Sequence, residues 1–239
     1  MTQGSIIVAF AGLDELPPAT LACLSQSEIQ RGDQFKAVHR RQQYLSARAL
    51  LRAVLERYTG DPAASHELDT NEHGKPVCVG GPAVSIAHSG DTVVCAATDN
   101  GEIGVDIETP GRRRDIKGIA DNYFSEDEAA WLATQADDRF YMLWVLKEAW
   151  LKATGSGLAG GLDSLRCIVT PPHIVARIVD HELTALSLYA VESAWIGLAT
   201  TIATHEAVIV NQWDPCSGRF EANSGARLVA ATDQSIRRA

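Results

Sequence analysis

The sequence predicts an α+β fold: two similar α+β lobes related by pseudo-twofold symmetry, with an active site in the cleft between them. Three observations carry this. The chain has 239 residues, enough for one large domain or for two lobes of about 100 residues each. Two long stretches with helical apolar spacing, residues 33–58 and 138–154, fall one in each half. Short alternating segments separated by turn residues follow each of them, which fits hairpins laid against a helix. The expected boundaries are an N-terminal lobe over 1–101, a C-terminal lobe over 102–212, and a tail over 213–239. That tail is polar and rich in small residues, so only part of it is expected to be ordered.

In the first lobe, the apolar run 5–10 reads as a strand and 19–30 as a weak helix. The long helix over 33–58 stops at Gly60-Asp61-Pro62. Arg41, Arg48 and Arg52 fall at i, i+7 and i+11 of it, so they form one stripe. Such a stripe is either solvated surface or a row of guanidinium groups able to grip phosphates. Residues 71–76, Asn-Glu-His-Gly-Lys-Pro, read as a turn with Lys75 at its tip. Segments 84–88 and 92–98 read as a hairpin closed at Ser89-Gly90-Asp91, with His88 at a strand end.

The second lobe opens on Gly104-Val105-Asp106-Ile107-Glu108, a strand in which Asp106 and Glu108 share one face. The loop after it carries the densest positive charge, Arg112-Arg113-Arg114 with Lys117 beyond. Residues 116–124 look helical, and Ser125 with Glu128 forms a capping box starting a helix to Leu132. The next helix runs to Thr154 and stops at Gly155. On it Glu148 and Lys152 are four apart and share a face. The Gly-rich run 155–161 lacks the Gly-Lys-Ser/Thr ending of a phosphate-cradling loop. Strands are expected at 165–169, 173–179, 185–191, 195–203 and 207–210.

Composition excludes several classes. A formal net charge of −9 argues against generic nucleic-acid or anionic-membrane binding. No apolar run reaches the roughly 18 residues needed to span a bilayer, and the first residues lack a secretory signal. The five cysteines are scattered and odd in number, none in a Cys-x-x-Cys pair. Reduced thiols in a cytoplasmic protein are therefore expected, not a disulfide frame or zinc site. The chain is expected to work as a monomer.

Two carboxylates held side by side on a strand face repel unless something positive lies between them. A hard cation with oxygen ligands, Mg²⁺, suits them. Glu148 would add a third carboxylate and Lys152 a base or cation beside it. Read without that chemistry, Asp-x-Glu is a solvated strand end and Glu148–Lys152 an ordinary surface pair.

Taken together, Gly-Val-Asp-Ile-Glu (104–108), Phe-Ser-Glu-Asp-Glu (124–128) and Trp144 through Lys152 resemble the 4′-phosphopantetheinyl transferases of the broad-specificity, two-lobed (Sfp-like) type. His73-Gly74-Lys75-Pro76 and Val84 through Ser89 look like two further blocks of that family, and the likeness spans roughly residues 30–200. The resemblance implies transfer of the 4′-phosphopantetheine arm of coenzyme A to a serine of an apo acyl or peptidyl carrier protein, releasing 3′,5′-ADP. It implies Mg²⁺, with Mn²⁺ as a substitute, held by Asp106, Glu108 and Glu148. Lys152 matches the catalytic lysine beside the diphosphate, and Glu148 is a candidate acceptor for the serine proton, though the sequence leaves the general base open. Lys75 and His88, with Ser89, match coenzyme A-contacting positions; Arg31, Arg41 and Arg48 match them more loosely. The basic loop with Lys117 is a candidate patch for an acidic carrier. Val145 stands where the family tends to a small or hydroxyl residue, and Ala87 where Ser is usual. Two other functions use the same groups: diphosphate cleavage with water as acceptor, and coenzyme A binding without transfer. The natural carrier is not written in the sequence.

Overall fold

A computed structural model describes residues 5–13, 15–72, 74–111, 115–155, 157, 161–178, 185–201, 208–222 and 226–232. Arg112, Arg113 and Arg114 of the expected carrier patch, and His73, lie outside the described residues. The chain forms two compact units, dividing first between Asn100 and Gly101.

The first unit starts with strand β1 (Ile6–Gly12), followed by the short helix α1 (Pro18–Leu21) and α2 (Gln26–Asp33). Ser25 caps α2 through a capping box with Glu28, so the single weak helix expected over 19–30 is two elements. Helix α3 (Val38–Thr59) begins five residues later than its apolar pattern suggests and ends at Gly60, whose φ of 84° takes the left-handed conformation glycine adopts at no steric cost. A ribbon of β2 (Leu68–Thr70) and β3 (Pro76–Cys78) leads into the hairpin β4 (Ala83–Ser89) and β5 (Thr92–Thr98). Leu50, Leu51, Val54 and Leu55 of α3 are fully buried in a core shared with Ala9 and Ala11 of β1 and with Val93 and Cys95 of β5.

The second unit opens with β6 (Ile103–Glu108), then α4 (Ile116–Tyr123), α5 (Glu126–Leu132) and α6 (Asp138–Thr154). Strands β7 (Leu165–Thr170), β8 (His173–Ile178), β9 (Ala185–Val191) and β10 (Ala194–Thr200) follow as two hairpins. Phe140, Leu143, Leu146 and Trp150 of α6 centre its core.

The expected division of the chain at 212 does not match the structure, because segments on both sides of it join the two sheets. Strand β11 (Val208–Asp214) runs parallel to β1, and β12 (Arg219–Ala222) pairs with β11, giving the first unit a five-stranded sheet in the order β12-β11-β1-β5-β4. Strand β13 (Arg227–Thr232) inserts between β9 and β8 of the second unit, whose six-stranded order is β6-β10-β9-β13-β8-β7. Both late strands carry apolar residues that the sheets bury: Trp213 is 4% exposed and Ala230 1%. No helix among the described residues is long and apolar enough to cross a membrane.

Candidate functional site

The site in the second unit is built on β6, an edge strand of its sheet. The even-numbered residues Gly104, Asp106 and Glu108 face α6, while Val105 and Ile107 fill the opposite side. Helix α6 lies directly on the strand backbone. A Cβ at Gly104 would collide with the Ala149 carbonyl oxygen, and one at Gly197 of β10 with the Val145 carbonyl oxygen. Only glycine permits that approach. Gly197 stands opposite Asp106 in the ladder and Trp195 opposite Glu108. Val145 therefore meets the sheet through its backbone at Gly197.

Asp106 and Glu108 are each 7% exposed, an unusual setting for two carboxylates on one strand face. Lys152, two turns from the place where α6 crosses Gly197, donates to Asp106 Oδ1 at 2.6 Å and to the Val105 carbonyl at 3.1 Å. Burial pushes the Asp106 carboxyl above its ordinary value, the Lys152 ammonium pulls it back, and the Glu108 charge pushes it up again. The expectation put Lys152 beside a diphosphate; here its charge sits on a carboxylate.

Glu148 lies one helical turn before Lys152 and is half-buried. Among the described residues no group of three or more His, Cys, Asp or Glu side chains is placed to hold a metal ion. The donor chemistry of Asp106 and Glu108 still fits a hard divalent cation. Mg²⁺ commonly takes one or two protein carboxylates and fills its remaining positions with water and substrate phosphates.

The residues expected to hold coenzyme A belong to the first unit, and the structure separates them into groups. His88 is exposed at the end of β4, and its Nε2 lies 3.1 Å from Nη1 of Arg40. Arg40 also donates to Gln43, which in turn donates to the Gly90 carbonyl. Ser89, beside His88, is buried. Lys75 sits in the β2–β3 turn, where its backbone N–H donates to Asn71. Arg31 donates to Gln34 and lies over the Phe35 ring, and Arg41 pairs with Asp33 at 2.9 Å. The arginine stripe is not one surface. Arg52 is buried against Glu28 at 2.8 Å and against the carbonyls of Ala63 and His66. Arg48, 8% exposed, lies 4.0 Å from the same Glu28 and over the Tyr44 ring. Both serve a buried acid that the spacing of the arginines alone does not reveal.

Two pairings escaped sequence reading. Arg40 stands in a run of three basic residues, His39-Arg40-Arg41, and only the rotation of α3 selects which one reaches His88. Lys147, whose stem the helical pattern puts on the buried side of α6, is 0% exposed and pairs with Glu128 at 2.8 Å; the spacing shows the Ser125–Glu128 capping box but not this partner on another helix.

Comparison with known proteins adds a lineage. A family model described as the 4′-phosphopantetheinyl transferase superfamily matches residues 102–199. The chain is 30% identical over 159 residues to the 4′-phosphopantetheinyl transferase HetI of Nostoc sp., covering 63% of this chain and 67% of that one. It is 32% identical over 163 residues to the 4′-phosphopantetheinyl transferase psf-1 of Bacillus pumilus, covering 63% and 67%. It is 36% identical over 122 residues to the 4′-phosphopantetheinyl transferase Sfp of Bacillus subtilis, covering 48% and 53%. The chain thus spans between about half and two thirds of the length of these curated relatives. A crystal structure of the Thermotoga maritima holo-[acyl-carrier-protein] synthase aligns with 41% of this chain and 61% of that one, at 22% identity and a TM-score of 0.34.

Proposed function

The chain belongs to the 4′-phosphopantetheinyl transferase superfamily, and on that premise we propose that it transfers the 4′-phosphopantetheine group of coenzyme A to a serine of an apo acyl or peptidyl carrier protein, releasing 3′,5′-ADP. The observation that carries the proposal is the pair of buried carboxylates on β6 with the Lys152 ammonium 2.6 Å from one of them. Acids this buried beside a lysine suit a site that gathers positive charge around a substrate diphosphate.

Asp106 and Glu108 are the residues that would hold Mg²⁺ or Mn²⁺, and Glu148 of α6 is the third carboxylate that would join them. A divalent ion bound there supplies charge neutralisation and alignment of the diphosphate oxygens. The chain's own groups do the rest. The serine hydroxyl attacks the β-phosphate and Glu148 takes its proton, directly or through a water. Lys152 keeps a positive charge beside the departing phosphate of 3′,5′-ADP. In the first unit, His88 with Arg40, and separately Lys75, offer cationic or hydrogen-bonding groups of the kind that bind phosphate.

Incubation of the purified chain with coenzyme A, MgCl₂ and a panel of apo carrier proteins tests this. A carrier that gains the mass of one phosphopantetheine, with 3′,5′-ADP in the filtrate, supports transfer and names the acceptor class. Coenzyme A cleaved at the same rate without any carrier would make the chain a diphosphate hydrolase. Binding with neither outcome would make it a coenzyme A-binding protein.

A further inference from the structure

Helix α6 is buried almost all the way round. Its buried apolar residues fall at 140–143, 145–146, 149–151 and 153, which distributes them over the whole helical circumference. Along 144, 148 and 152 the helix is only partly buried, and there Lys152 contacts Asp106; the apolar remainder of its circumference does not choose a rotation by itself. The glycine floor beneath it, Gly104 and Gly197, permits close approach but offers no side chain to key against. A rotational setting is nonetheless required, because Glu148 and Lys152 must come to the side where β6 presents Asp106 and Glu108.

Lys147 supplies a second directional contact, inside the core. It is the one lysine wholly buried among the described residues. Its ammonium donates to Glu128 at 2.9 Å, to the Leu162 carbonyl at 2.8 Å and to the Leu165 carbonyl, and it lies 4.8 Å from the centre of the Phe124 ring. Glu128 is equally committed. It accepts from the Ser125 backbone at 3.0 Å and hydroxyl at 2.9 Å, and from the Cys167 N–H at 2.8 Å. One ion pair therefore joins the start of α5, the middle of α6, the turn at 162–164 and strand β7. Turning α6 by one residue, about 100°, would replace the ammonium with Leu146 or with the Glu148 carboxylate, leaving the buried Glu128 without its countercharge and two carbonyls without this donor.

We propose that the buried Glu128–Lys147 pair is the key that fixes the rotation of α6, making Lys147 a positioning residue for Glu148 and Lys152. A buried ion pair adds little net stability over well-packed apolar residues, and its best-attested use is to select one register among several. The inference rests on the transferase reading only in taking Glu148 and Lys152 as the groups being positioned.

The test compares Lys147→Met, Glu128→Gln and the double variant in the full chain. The readouts are melting temperature, kcat and KM for coenzyme A in carrier loading, and the near-ultraviolet circular dichroism of Trp144 and Trp150, both on α6. Each single change should lower the melting temperature, because it leaves one member of the pair buried alone. The double change should restore most of that loss. Its kcat should stay down by about tenfold or more while KM for coenzyme A moves less than about threefold, the signature of displaced reacting groups rather than lost binding. Its near-ultraviolet spectrum should differ from wild type. Recovery of kcat together with melting temperature would overturn the proposal, and so would an unchanged spectrum. If a single variant does not fold, the double variant decides alone. If the wild type loads no carrier, the proposed function fails, while the spectral comparison still tests the setting of α6.

Discussion

Lys152 has two acceptors, the Val105 carbonyl and Asp106 Oδ1, and the second is also a proposed metal ligand. An ammonium and a divalent ion within a few ångströms of one carboxylate repel, more strongly than in water because the acid is buried. Lys152→Met should therefore tighten Mn²⁺ binding to the substrate-free protein by about tenfold. The same variant should lose roughly a hundredfold in kcat, since the charge beside the leaving phosphate is worth on the order of 3 kcal/mol in the transition state. Calorimetric titration with Mn²⁺ checks the first effect; unchanged or weaker binding would show that lysine and metal do not share Asp106. The charges at this position were legible in the sequence, because strand alternation puts Asp106 with Glu108 and helical spacing puts Glu148 with Lys152. Their pairing was not. Spacing within an element says which residues share a face, but says nothing of which acid on one element meets which base on another. Arg52 and Arg48 show the same gap: their stripe was visible, while the buried Glu28 that holds them lies on a different helix.

Among elements, α6 and β6 carry the proposed chemistry, and glycine lets them touch backbone to backbone. Gly104→Ala would force a methyl group to within 2.5 Å of the Ala153 nitrogen and closer still to the Ala149 carbonyl, both main-chain atoms that cannot swing aside. Overpacking of this kind costs about 1–3 kcal/mol. The melting temperature should fall by several degrees, and carrier loading should fall further than the loss of folded protein explains, because lifting α6 carries Lys152 away from Asp106. A thermal melt beside a rate measurement checks this; an unaltered melting temperature would mean that the helix is not seated on the strand. Elements with local signals were readable: α5 from its capping box, α6 from its start near Asp138 to its stop at Gly155, and β9 over residues 185–191 with both ends placed. The late strands were harder. β11 pairs in parallel with β1, about two hundred residues earlier, and such a partner leaves no mark in the local pattern. β3 starts on the last residue of what reads as a turn, and the Ser25–Glu28 box divides the expected helix over 19–30 into α1 and α2.

At the scale of the whole molecule, the chain folds as two α+β units, and each takes strands from the last part of the sequence. Tyr58, at the end of α3, ties the first unit's long helix to the turn after β5: its hydroxyl donates to Asp99 Oδ1 at 2.7 Å and accepts from the Asp99 N–H. Burial first, then the Asp99 carboxylate, pushes its pKa up to about 12. The folded state thus holds the proton more tightly than the unfolded chain, whose tyrosine titrates near 10. This contribution to stability is fully present below pH 10 and is lost as pH rises towards about 12. Denaturant melts across that range should show a decline that Tyr58→Phe flattens. The central claim, that the acids of β6 serve transfer to a carrier protein, is tested most directly by the intact mass of an apo carrier after incubation with coenzyme A, Mg²⁺ and either wild type or Asp106→Ala. The account predicts a carrier heavier by one phosphopantetheine with wild type and an unchanged carrier, over the same time, with the variant. Equal loading by both proteins would contradict it.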